Sequence, residues 1–279
     1  MKQFFTTIDV EPNQAGGVFS TPFSYSGAIV GLKKLFNHLP PPFVTLFCPI
    51  PFFEQHGDLV KDYIAKGAEI GLLFYPEDVH PEKQDMSGNR RILKTYELDR
   101  EVFNAKMTSA RKVIDSFSGD ICSIRFGSYC VDSDFLIYFE SNTHGFSFSS
   151  STVPSMLAAG DSIDHRLYNH VPYYITDKKF LLEIPLSVYE GSLQSWLRPT
   201  LGYCLLDNSQ EMLRVLDNVN MSFDAAELSI GNTPYSQDET SVTIMQERLA
   251  NILWYAGRQK FEFKQLRQIS LPEDVHIGV

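Results

Sequence analysis

A chain of 279 residues, 43% hydrophobic and 21% charged, is long enough to bury a large core and has the composition of an ordinary globular protein. Its formal charge of −10 disfavours nucleic acid or an anionic membrane as partner. No apolar stretch reaches the roughly 18 residues of a membrane span, and the opening MKQFFTTIDVEP meets Asp9 and Glu11 too early for a secretory signal, so a cytoplasmic location is expected.

The first 125 residues alternate strand and helix. FFTTID is a short apolar, β-branched run ending in acids. From Tyr25 to His38 the residues Ile29, Leu32, Leu35 and Phe36 share one helical face. Pro40, Pro41 and Pro42 stop that helix, and PPPFVTLFCP follows as a strand. Glu54 to Lys66 repeats the helical pattern, with Gly67 at its end, before the strand AEIGLLFY. A long helix from Leu98 to Phe117 leads to the strand ICSIRF. Such alternation builds a parallel sheet with helices outside.

The second half is less regular. Asp134 to Asn142 reads as a helix, GFSFSSS as a short strand, and FLLEIPLSVY as a strong strand that Pro185 confines to an edge or bulge. Residues 151–179 lack a clean period and suggest a functional loop. Asn208 to Leu216 is a helix, VNMSF a strand and Asp238 to Gln259 a long amphipathic helix. With no repeat, low-complexity tract or linker, residues 1–279 are expected to form one α/β domain of about seven strands. The cysteines Cys48, Cys122, Cys130 and Cys204 form no CxxC pair and read as reduced structural thiols.

In a closed barrel, functional groups gather where strands end. Asp9 and Glu11 follow the first strand; at i and i+2 they either point to one side, into a shared cavity, or cap the next segment. Arg125 ends the fourth strand, and burying it would require a carboxylate such as Asp9 or Glu11. The late strand runs into SFDAAELSIGNTPY, where Asp224 and Glu227 serve either the same cavity or the turn. A second cluster, DSIDHRLYNH, holds His165 and His170, five apart and so not on one helical face. Tyr168, Tyr173, Tyr174, Tyr189 and Trp196 nearby suit either sugar stacking or core packing.

Taken in order, TTIDVEP, HGDLVKDYIAKGAEIGL, RFGSYCVD, GFSFSSSTVP, LLEIPLS and AAELSIGNTPY resemble the polysaccharide deacetylase (NodB-homology, carbohydrate esterase) family over residues 3–268. The resemblance implies a distorted (β/α)7 barrel and metal-assisted removal of acetyl groups from sugars. It places Asp9 as catalytic base, Arg125 as the arginine that orients it and Asp224 where the family has a late histidine; Glu11, Tyr129 and Glu227 are expected substrate contacts. The metal motifs are degenerate. Val10 stands at the usual second aspartate, and Leu73 at the first histidine after EIGL, followed by Phe74 and Tyr75. A catalytic zinc needs about three protein ligands and an open position, so no cofactor is expected unless Glu11 and His80 rebuild the site. Two readings follow. One is a deacetylase-like hydrolase of an acetylated sugar or glycan precursor, in surface-polysaccharide biosynthesis, with an altered or lost metal site. The other is a catalytically inactive barrel that binds carbohydrate or a partner protein.

Overall fold

The structure, a computed structural model, describes residues 2–15, 18–19, 23–83, 93–117, 120–154, 171–187, 201, 206–233, 236–272 and 275–278. The strands are β1 (Gln3–Asp9), β2 (Val44–Cys48), β3 (Glu69–Phe74), β4 (Ser123–Phe126), β5 (Phe148–Ser149), β6 (Tyr173–Tyr174), β7 (Leu182–Glu183), β8 (Asn218–Asp224), β9 (Glu262–Lys264) and β10 (His276–Ile277). A two-residue antiparallel pairing of Gln14–Ala15 with Val18–Phe19 stands apart. The helices are α1 (Ser26–Leu35), α2 (Ile50–Ala65), α3 (Arg100–Ile114), α4 (Ser133–Ser141), α5 (Leu206–Val215) and α6 (Glu239–Arg258).

The sheet runs β8-β1-β2-β3-β4-β5-β7-β6-β10, with β9 beside the first half of β1. From β8 to β7 every neighbouring pair is parallel, which gives the seven staves of a (β/α)7 barrel. Beyond β7 the pairing with β6 turns antiparallel. The two ends of the parallel run curl toward each other: the Ser187 amide donates to the Asn220 carbonyl at 3.0 Å, and Asn220 Nδ2 donates to the Ile184 carbonyl at 2.9 Å.

Alternation along each strand divides the core in two. Phe4, Ile8, Leu46, Cys48, Ile70, Leu72, Phe74, Ile124, Phe126, Met221 and Phe223 face the helices. Phe5, Phe47, Leu73, Tyr75, Leu182 and Ile184 meet inside the barrel, where Leu266 also packs. Helix caps follow local chemistry. Asp99 accepts from the amides of Glu101 and Val102, Asp132 from Phe135, and Asp238 from Ser241. Helix α1 lies so close to the turn after β8 that a β-carbon on Gly31 would stand 1.7 Å from the Ala225 carbonyl oxygen, so glycine is required there.

Several boundaries differ from the sequence expectations. Helix α2 begins at Ile50, a full turn before Glu54, because Pro51 is tolerated in the first turn of a helix. Residues Pro41–Phe43 form a 3-10 turn before β2. The run FLLEIPLSVY keeps only Leu182–Glu183 as strand, since Pro185 has no amide for a ladder. Among the described residues no helix is long and apolar enough to cross a membrane.

At the amino end of the barrel Glu69 is buried and accepts hydrogen bonds from Thr45 Oγ1 (3.0 Å), the Arg267 amide (3.1 Å) and the Ser123 hydroxyl. Burial raises its carboxyl above the ordinary glutamate range, and these bonds offset the rise only in part. A folded-state value above the unfolded one means that its contribution to stability is complete below the ordinary glutamate range and is lost as pH rises through the folded value. Glu69→Gln, which stays neutral, should lose less stability than the parent as pH is raised from acid to neutral. Denaturant midpoints across pH check this; parallel profiles for the two proteins would refute it.

Candidate functional site

The site is built where β1, β4 and β8 end. The ladder pairs Asp9 with Asp224 directly, so two acids distant in sequence stand on neighbouring strands at the same level. Asp9 is 5% exposed and Asp224 9%. Leu73 pairs with Arg125 across β3 and β4.

Arg125 is fully buried, and each of its five N–H groups has an acceptor. Nη1 donates to Asp9 Oδ1 at 2.6 Å and to Ser222 Oγ at 2.8 Å; Nη2 donates to Thr7 Oγ1 and Ser150 Oγ, both at 2.8 Å; Nε donates to the Ser150 carbonyl at 2.7 Å. The guanidinium carbon lies 4.3 Å from the Phe47 ring centroid and 5.9 Å from that of Tyr129. Behind it, Thr7 Oγ1 donates to Asn220 Oδ1 at 3.0 Å, and Asn220 Nδ2 donates to Ser150 Oγ at 2.9 Å. This network fixes the direction of the Asp9 carboxylate. The polar residues of the network, Thr7, Ser150, Asn220 and Ser222, had no catalytic motif to mark them; their signal was their inward position on strands otherwise lined with apolar groups.

Tyr129 reaches the arginine through an unusual turn. Ser128 and Tyr129 have φ of +54° and +55°, a left-handed pair without glycine, which costs about 1–3 kcal/mol per residue. Asp224 and Glu227 also do turn work: Asp224 Oδ1 accepts from the Ala226 amide at 2.9 Å, and the Asp224 amide donates to Glu227 Oε1 at 3.1 Å. Of the two readings from the sequence the turn is seen directly, since Asp224 caps it, and the ladder sets the same residue opposite Asp9. Glu11 is fully buried; Tyr75 donates its hydroxyl to Oε1 at 2.6 Å and Gln14 Nε2 donates to Oε2 at 3.2 Å.

A zinc ion does not suit these residues. Val10 is buried in the core facing the helices, and Leu73 is buried among Phe5, Phe47 and Ile184; neither has a donor atom. Glu11 already accepts from a phenol and an amide, while His80 is exposed. Among the described residues no cluster of three or more His, Cys, Asp or Glu is arranged to hold an ion. The segment 161–170 with His165 and His170, together with Tyr189 and Trp196, lies outside the described residues.

No protein-family profile matches this chain, and no curated protein matches its sequence. Solved structures do resemble it. The Puue allantoinase is 14% identical with a TM-score of 0.58, over 95% of this chain and 86% of that one. A Mycobacterium smegmatis protein assigned as a polysaccharide deacetylase is 14% identical with a TM-score of 0.54, over 98% of this chain and 95% of that one. A Parabacteroides distasonis protein assigned as a glycoside hydrolase or deacetylase is 13% identical with a TM-score of 0.54, over 98% and 74% of the two chains. The fold of this chain is the (β/α) barrel of the polysaccharide deacetylases.

Removing one partner of a buried ion pair costs about 3–5 kcal/mol, because the other charge stays buried. Arg125→Met should therefore lower the melting temperature by roughly 10 °C. Arg125→Lys should recover little of it, since an ammonium cannot supply five donors in a fork. An unchanged melting temperature in Arg125→Met would contradict the network.

Proposed function

We propose that this chain is a single carbohydrate-recognising domain of polysaccharide deacetylase fold that binds an acetylated sugar or glycan precursor at the carboxyl end of the barrel without a resident metal ion. The observation that carries the reading is the level pairing of Asp9 and Asp224, with Asp9 in a buried ion pair with Arg125. Two neighbouring acids beside one guanidinium suit the hydroxyls of a polyol and disfavour an anionic ligand. The Tyr129 ring, packed with Val153 and Leu186, lies on the Arg125 side of these acids. The sugar chemistry named for the Mycobacterium smegmatis and Parabacteroides distasonis proteins supports the ligand class.

A second reading, acetyl hydrolysis without metal, is favoured by the same two acids. A carboxylate oriented by an arginine, as Asp9 is, suits the role of a general base, and Asp224 opposite it on the ladder stands where a general acid would be needed. The loss of nitrogen donors at Leu73 argues for binding over turnover, because the Lewis acid that would polarise the acetyl carbonyl has no seat there.

Calorimetry with neutral N- and O-acetylated oligosaccharides tests the proposal. The parent should bind in the presence of a chelator, and Asp9→Asn and Asp224→Asn should each weaken binding by about tenfold or more, as expected for losing hydrogen bonds to a charged group. Asp224→Asn keeps an N-capping side chain, so its turn should survive. Chelator-resistant release of acetate, lost in Asp9→Asn, would establish the hydrolytic reading. If both variants bind as the parent does, or the parent binds no neutral sugar, the proposal fails.

A further inference from the structure

On the strand where the family resemblance expects a metal-binding imidazole, Leu73 is followed two residues later, on the same inward side, by Tyr75. The Tyr75 hydroxyl reaches Glu11 at 2.6 Å, and Gln14 closes on the other carboxylate oxygen at 3.2 Å. The Tyr75 ring lies flush against Gly127 at the end of β4: a β-carbon there would come within 2.1 Å of the ring. Phenol, glycine and carboxylate thus come from three different segments and fit one another.

We propose that Tyr75 permanently takes the place of a divalent cation at this barrel end, its phenolic proton doing for Glu11 what a metal ion would do. A fully buried carboxylate needs donors or a cation. Here both oxygens of Glu11 have donors from the chain itself, one at the short distance of a hydrogen bond to a charged acceptor. A cation arriving at Glu11 would have to break that bond and move a ring that Gly127 holds in place. For Tyr75 itself to become a ligand, its phenol would have to give up the proton that now binds Glu11. Tyr75 is on this account a positioning residue: it keeps Glu11 fixed two residues beyond the carboxyl end of β1. The inference deepens the metal-free reading of the site.

The test uses the full chain, purified without an affinity tag, as parent, Tyr75→Phe, Glu11→Ala and the double variant. Zinc chloride titrated into the parent should show no stoichiometric uptake, and its melting temperature should be the same with zinc or with chelator. Tyr75→Phe, which keeps the ring against Gly127, should lower the melting temperature by several degrees. The double variant should melt no lower than Glu11→Ala, because the two groups act as one. Uptake of one zinc per chain that Glu11→Ala abolishes, or losses in the single variants that simply add, would overturn the proposal. None of these measurements involves sugar, so a failure of sugar binding and a failure of the phenol lock are seen separately.

Discussion

A guanidinium carries a charge that cannot be shed and five N–H groups that cannot go unmet, and Arg125 has been taken wholly out of water. Its acceptors come from three strands or strand ends: Thr7 and Asp9 on β1, Ser150 after β5, and Ser222 on β8, while Phe47 on β2 supplies a ring face. The arginine can be satisfied only when these staves stand at one level around it. Barrel curvature, strand register and the direction of the Asp9 carboxylate are therefore conditions of a single interaction.

The same constraint explains the polar residues that line the carboxyl end of the barrel. Phe5, Phe47, Leu73, Leu182 and Ile184 fill the interior as ordinary core residues do. Thr7, Ser150, Asn220 and Ser222 interrupt them only where an acceptor for Arg125, or a support for such an acceptor, is needed. Asn220 does double duty: its amide nitrogen donates to the Ile184 carbonyl and its backbone carbonyl accepts from Ser187, so it also joins the two ends of the parallel run. Support of the site and closure of the barrel share a residue.

Around this frame Asp9 and Arg125 form a buried ion pair, the neighbouring positions carry the apolar Val10 and Leu73, and Glu11 is bound by Tyr75 and Gln14. On the reading proposed above, an orienting ion pair beside packed side chains without donor atoms suits recognition of a polar ligand better than Lewis-acid catalysis.

Much of this was legible in the chain itself. Period-two and period-3.6 patterns located β1 to β4, α1, α3 and α6 within a few residues, because each buries one continuous face. The order of short motifs pointed to the barrel, and the cost of burying Arg125 pointed to Asp9 or Glu11, of which the structure pairs it with Asp9. Barrel closure already led the sequence reading to expect Asp9 and Asp224 at one mouth, but left Asp224 divided between turn and cavity; the parallel pairing of the first and last long strands sets the two at the same level. The sequence also showed Tyr75 merely as an aromatic residue before a proline. Its meeting with Glu11 and Gly127 depends on three segments far apart in the chain, and no local pattern encodes such a contact. Local periodicity determines which face of an element is buried; what that face meets is decided by the register of strands that the chain brings together last.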